Sequence, residues 1–208
     1  GVVPTILLGR PALRRAVMAH GLRLAGRLQE TIPAGERLTA VCALDEVRPV
    51  LGAGDAVLLT VKAPHAAAAA AELAAALRAS AAGSAHPMVF LLQNGTGFEA
   101  AVRAALADAA VVEPVVAHLG ATWVAPGHVE DWGGRLICAE TPAGRDLAEL
   151  FRRAGLDATT TADLEAERWK KIAFNCALNP FAALLNARNC DALPPRLRAW
   201  RRAVLAEV

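Results

Sequence analysis

Arg168–Asn186 reads RWKKIAFNCALNPFAALLN. Lys171, Asn175 and Asn179 recur at every fourth position, so on a helix they share one face and drift by only about 40° per step. Ile172, Phe174, Ala177, Leu178, Phe181 and Leu184 make up the apolar remainder. One ammonium and two carboxamides in a stripe offer donors and acceptors to a small polar, oxygen-rich substrate. Pro180 lacks a backbone N–H and is expected to strain the helix. Most Lys/Asn stripes are solvated polar faces, but two features favour a site. Of 22 basic residues only Lys62, Lys170 and Lys171 are lysines, so Lys stands where a compact, titratable ammonium has a use. Asn is also a poor interior helix residue, and here two stand among large apolar neighbours.

Upstream the pattern is α/β. Val2–Leu8, Ala56–Val61 and Met88–Leu92 are short apolar runs closed by Gly9, Lys62 and Asn94-Gly95, as expected of buried parallel strands. Pro11–His20, Pro64–Ala81, Phe98–Ala107 and Gly144–Ala154 read as helices between or after them. Leu22–Val41 reads as short strands with turns at Gly26 and Pro33-Ala34-Gly35, and Leu44–Leu51 as a short helix. Ala110–His118 and Gly133–Ala139 read as antiparallel strands, with a connection over Ala121–Val124 and turn chemistry at Pro126-Gly127 between them, and Ala158–Thr161 as a last strand. Asp163 is placed to cap the long helix. Trp123 and Trp132 read as packing residues, and His118 and His128 as structural. Arg196, Arg198, Arg201 and Arg202 read as the solvent face of a further helix.

Arg10 lies just past the end of the first strand, with Arg14 and Arg15 nearby and no acid in the local sequence. At the corresponding position of a doubly wound sheet an acid favours NAD, and an arginine accommodates the 2′-phosphate of NADP.

Four segments together carry a resemblance: Leu7-Leu8-Gly9-Arg10, Asp55–Ala63 (DAVLLTVKA), Gln93-Asn94-Gly95-Thr96-Gly97, and W-x-K-x-x-x-N-x-x-x-N-P over Trp169–Pro180. In this order and spacing the chain resembles the ketopantoate reductases (2-dehydropantoate 2-reductases) over nearly its whole length. The resemblance implies a Rossmann-like NADP-binding domain over residues 1–161 and the start of an all-α substrate and dimerisation domain over 162–208. It implies NADPH-dependent reduction of 2-dehydropantoate to pantoate in the cytoplasm, on the route to pantothenate and coenzyme A. Lys171 would be the general acid, Asn175 and Asn179 the substrate-binding residues, and Arg10, Lys62, Asn94 and Gly95 the cofactor contacts. It leaves room for a homodimer through the helical domain. The family's glycine-rich fingerprint is expected ahead of Gly1, and its substrate-holding Ser and Glu beyond Val208, so the chain reads as a piece of a longer protein. A related reductase for another 2-keto acid, and a non-catalytic NADP-binding fragment, are the alternatives.

Gly95–Ala100 also fits G-x-G-x-x-A between a strand and a helix, with Glu113 downstream, the form of a dinucleotide fingerprint. Two strands with basic residues at their ligand ends precede it, whereas a fingerprint belongs to the first strand of its domain. An S-adenosylmethionine-dependent reading through this loop is therefore the weakest option.

Composition sets the remaining bounds. Hydrophobic residues make up 55% of the 208, ample for a core, and the net charge of +2 implies no nucleic-acid or membrane partner. Ala66–Ala71 is too short to span a bilayer. Cys42, Cys138, Cys176 and Cys190 show no metal-ligand spacing, so reduced thiols are expected. Ser80 and Ser84 lack a partner His for nucleophilic catalysis.

Overall fold

Strand β6 (Met88–Leu91) shows how the apolar runs build the sheet. Val89 and Leu91 pack into one hydrophobic cluster and Phe90 into another, all at most 3% exposed. Alternate side chains of a strand point to opposite faces, so a run of four apolar residues is what a strand covered on both faces needs. The computed structural model describes residues 3–47, 51–52, 54–79, 86–188 and 194–208. Ser80, Ser84 and Cys190 lie outside these, as does part of the helix expected over Leu44–Leu51. Of that segment, Leu44–Glu46 forms a single 3-10 turn.

The strands in chain order are β1 (Thr5–Leu8), β2 (Leu22–Gly26), β3 (Glu30–Ile32), β4 (Leu38–Val41), β5 (Ala56–Leu59), β6, β7 (Val111–Ala125), β8 (His128–Ala139) and β9 (Asp157–Thr161). The helices are α1 (Pro11–His20), α2 (Ala63–Arg78), α3 (Glu99–Leu106), α4 (Pro142–Arg153), α5 (Leu164–Leu184) and α6 (Arg198–Glu207). The chain divides into two compact units, Gly1–Thr161 and Ala162–Val208.

In the first unit β5, β6 and β7 run parallel, in register Ala56↔Met88 and Met88↔Val111. β7 continues antiparallel to β8, whose far half pairs with β2 and whose near half pairs with β9. The resulting order is β3-β2-β8-β7-β6-β5. β1 and β4 pair parallel in a separate two-stranded sheet. Among the described residues, β1 and β5 each pair along one edge only. Each is also covered on one face: Leu7 and Leu59 pack inward, while Ile6, Leu8 and Leu58 are 40–48% exposed.

Two expectations are corrected here. The hairpin does not lose its strands in a loop at Ala121–Val124: the ladder runs on to Ala125↔His128, and only Pro126-Gly127 turns the chain. Nor do Trp123 and Trp132 pack, being 69% and 62% exposed. The register shifts after Gly120, leaving Trp132 as the extra residue of a bulge, where its indole N–H donates to Thr122 Oγ1 at 2.9 Å.

In the second unit α5 is continuous through Pro180. The proline removes the N–H that would have bonded the Cys176 carbonyl, without ending the helix. Asp163 caps it as expected, Oδ1 accepting from Ala166 N–H at 3.0 Å. α6 packs against α5, and Leu178, Ala182 and Phe181 form a small apolar core. No helix among the described residues is long and apolar enough to cross a membrane.

Candidate functional site

The carboxyl ends of parallel strands are where open α/β sheets bind ligands. In the first unit those of β5 and β6 are neighbours, since Leu59 pairs with Leu91 and Leu92 N–H continues the ladder to Leu59 C=O at 3.2 Å. Lys62 stands three residues past β5, exposed, and directly precedes α2. Asn94 and Gly95 follow β6, both exposed. Gly95 and Gly97 have φ near +90°, and a Cβ on either would meet no atom within 4 Å. The loop therefore takes a left-handed backbone that glycine tolerates, with open space beside it for a ligand.

The fingerprint-like reading of this loop meets a physical obstacle. Glu99 opens α3, and its Oε2 accepts the Gly97 N–H at 3.0 Å. A phosphate seated there would face a carboxylate already holding that amide. Glu113, the acid the motif invoked downstream, instead accepts from Thr141 Oγ1 at 2.8 Å, and Thr141 in turn caps α4.

Arg10 caps the start of α1 with its backbone carbonyl, while its side chain is exposed and has no ion-pair partner among the described residues. Arg14 differs: it pairs with Glu46 at 3.2 Å. Glu46 also accepts the N–H groups of Cys42 and Ala43, and the Cys42 bond chiefly lowers its pKa. This acid is 32 positions from Arg14, so local sequence did not reveal it. It pairs with Arg14, whereas no acid pairs with Arg10 among the described residues.

In the second unit Lys171, Asn175 and Asn179 lie along α5. Lys171 and Asn175 are half-buried, and burial lowers the Lys171 pKa below its ordinary 10.5. Asn179 is exposed, contrary to the embedding expected from its neighbours. Its neighbours Leu178 and Ala182 are buried, but Asn179 itself stands outside the small core they form. Asn179 lines an open groove with Ala182, Ala183, Asn186, Ala187 and Arg188. Lys170 is the opposite of Lys171: its ammonium is exposed and bonds Glu167 Oε1 at 2.6 Å, which raises its pKa. Lys170→Ala is expected to leave turnover and the melting temperature essentially unchanged, since exposed ion pairs contribute little. Steady-state rates and a thermal melt check this.

One residue that the site assignment passed over stands out. Gln93, between β6 and Asn94, has both polar side-chain atoms, Oε1 and Nε2, shut from solvent without a hydrogen-bond partner among the described residues.

Comparison with known proteins follows the same division. A family model described as ketopantoate reductase PanE/ApbA matches residues 2–139, and its C-terminal counterpart matches 163–208. The 2-dehydropantoate 2-reductase of Halobacterium salinarum is 31% identical over 129 residues, which cover 56% of this chain and 41% of that protein. That of Pyrococcus horikoshii is 36% identical over 77 residues, covering 34% and 25%. Among solved structures, 2-dehydropantoate 2-reductase from Geobacter metallireducens superposes with TM-score 0.70 at 30% identity, over 87% of this chain and 57% of that one. The PanE/ApbA family ketopantoate reductase from Ralstonia eutropha gives 0.71 at 29%, over 87% and 56%. D-mandelate dehydrogenase, solved with NADH, shares the fold at TM-score 0.67 and 18% identity, over 87% and 56%. The chain thus matches between a quarter and about two fifths of the length of these curated relatives and a little over half of these solved structures.

Proposed function

The chain belongs to the ketopantoate reductase family, and on that premise we propose that its protein reduces 2-dehydropantoate to pantoate with NADPH. The observation that carries this reading is the α5 stripe, where a half-buried lysine of lowered pKa heads a line continued by two carboxamides. A ketone reduction needs a donor at the oxygen where negative charge develops. Lys171 is that donor. Its depressed pKa makes the proton easier to give than a solvated lysine's. Asn175 and Asn179 bond the hydroxyl and carboxylate of the substrate, which orients the ketone rather than activating it.

A nicotinamide cofactor supplies the hydride when bound. The first unit suits it on three counts: a guanidinium at Arg10 with no ion-pair partner among the described residues, the ammonium of Lys62 past β5, and the glycine-opened backbone after Asn94. Arg10 takes the 2′-phosphate and so selects NADPH. Arg10→Ala is expected to raise the NADPH Kd roughly ten-fold, the loss of one or two charge-assisted hydrogen bonds, and to leave NADH binding within about two-fold. Fluorescence titration of both cofactors checks it; equal losses for both would remove Arg10 from the 2′-phosphate.

Free thiols at Cys42, Cys138 and Cys176 fit work in the reducing cytoplasm. The reaction itself is tested by following NADPH consumption with 2-dehydropantoate against a panel of other 2-oxo acids, using the full reading frame that contains this chain. A preference for another acyl group would keep the reductase and change its substrate, since a mismatched apolar pocket discriminates by only about 1–3 kcal/mol.

A further inference from the structure

Gln93 sits where an apolar residue would cost less. It follows Met88–Leu91 and Leu92, and both Oε1 and Nε2 are buried with no partner among the described residues. A buried amide left unbonded forfeits the hydrogen bonds that water gave it in the unfolded chain, and a leucine there would forfeit nothing. An orphaned group of this kind calls for a partner that arrives from outside the chain.

Both its place and its chemistry say what that partner is. Gln93 lies past the end of β6, beside the β5 end that leads to Lys62, and directly before the open Asn94-Gly95-Thr96-Gly97 backbone. Its side chain presents an unmet acceptor and an unmet NH₂ donor together. A phosphate or carboxylate would satisfy the donor and repel the acceptor. An ammonium would do the reverse. A primary carboxamide satisfies both, through two antiparallel N–H···O=C bonds. We propose that Gln93 is a cofactor-positioning residue, whose carboxamide pairs with the carboxamide of the nicotinamide ring and so fixes which face of the ring meets the substrate. This rests on the reductase reading above and assigns it a contact outside the Arg10, Lys62, Asn94 and Gly95 set.

The test is a binding cycle on the full reading frame, read by fluorescence titration and by melting of the ligand-free protein. The ligands are NADPH and its 3-acetylpyridine analogue, in which a methyl replaces the NH₂. The variants are Gln93→Leu and Gln93→Met, two apolar shapes in case one packs poorly. The ligand-free variants are expected to melt at or above the wild-type temperature, since they bury no orphaned amide. Their NADPH Kd is expected to rise about ten- to a hundred-fold. Wild type is expected to bind NADPH more tightly than the analogue, and the variants to bind the two alike. Variants that bind NADPH as tightly as wild type would overturn the assignment, as would an analogue penalty unchanged by the substitution. Wild type that bound no nicotinamide nucleotide would instead overturn the reductase reading, and this contact with it.

Discussion

Lys171→Ala is expected to lower kcat for the ketone reduction by about 10²- to 10⁴-fold, the usual contribution of a positioned general acid, with the NADPH Kd within about two-fold of wild type. The contrast with Lys170 gives this its force. The two lysines are adjacent, yet one is an exposed ion pair whose pKa is raised by Glu167 and the other is half-buried with its pKa lowered by desolvation. A general acid must carry its proton, so the rate falls as pH rises through the Lys171 pKa. The alkaline limb of the pH–rate profile should then have its midpoint below the ordinary lysine value of 10.5. The same shift acts on stability. Between the folded pKa and the unfolded one the unfolded chain holds more protons at this site, so stability rises with pH across that window and is flat below it. Lys171→Met should remove both the alkaline limb and this slope. An alkaline limb that survived the substitution would belong to another group.

Gly134→Ala is expected to destabilise the first unit by on the order of 3 kcal/mol or more, enough to lower its melting temperature by about 10 °C. Gly134 has φ +131°, and a Cβ there would lie 2.0 Å from the His118 carbonyl oxygen and 2.9 Å from its carbon. These are backbone atoms of the facing strand, in the register Leu119↔Gly134, so no side chain can turn aside to make room. The hairpin must open next to its bulge, and β8 is the strand that holds β2 and β9 on its outer edge. Gly155→Ala is the control. Its φ is also positive, at +82°, but nothing lies within 4 Å of a Cβ there, so it carries the conformational cost of about 1–2 kcal/mol alone. Equal losses in the two variants would show that the close approach at Gly134 is relieved without cost.

The elements that sequence made legible are those whose signal is local. The apolar run at Met88–Leu91 is continuous because helices cover both faces of β6. The Lys171 stripe follows from helical period alone, and the Asp163 cap from residue type and position. What escaped depends on partners far along the chain. Leu119–Ala125 has neither strict alternation nor a long apolar run; it is a strand because β8 pairs with it, while β8 is held from its other edge by Arg23–Gly26. The Arg14–Glu46 pair joins α1 to the turn after β4. Asn179 looked embedded because its sequence neighbours are apolar, but on a helix burial depends on what packs across from a residue. Gln93 entered only as the first residue of the Gln93–Gly97 motif, and its orphaned amide could be seen only with its described neighbours in place.

The most direct test of the account is NADPH oxidation with 2-dehydropantoate by the full reading frame, wild type beside Lys171→Ala, with NADPH binding measured on both. Wild type is expected to form pantoate, and the variant to bind NADPH normally but turn over at least about a hundred-fold more slowly. Equal turnover by the two proteins would contradict the role of Lys171. Tight NADPH binding by wild type without reduction of this ketone would contradict the proposed substrate.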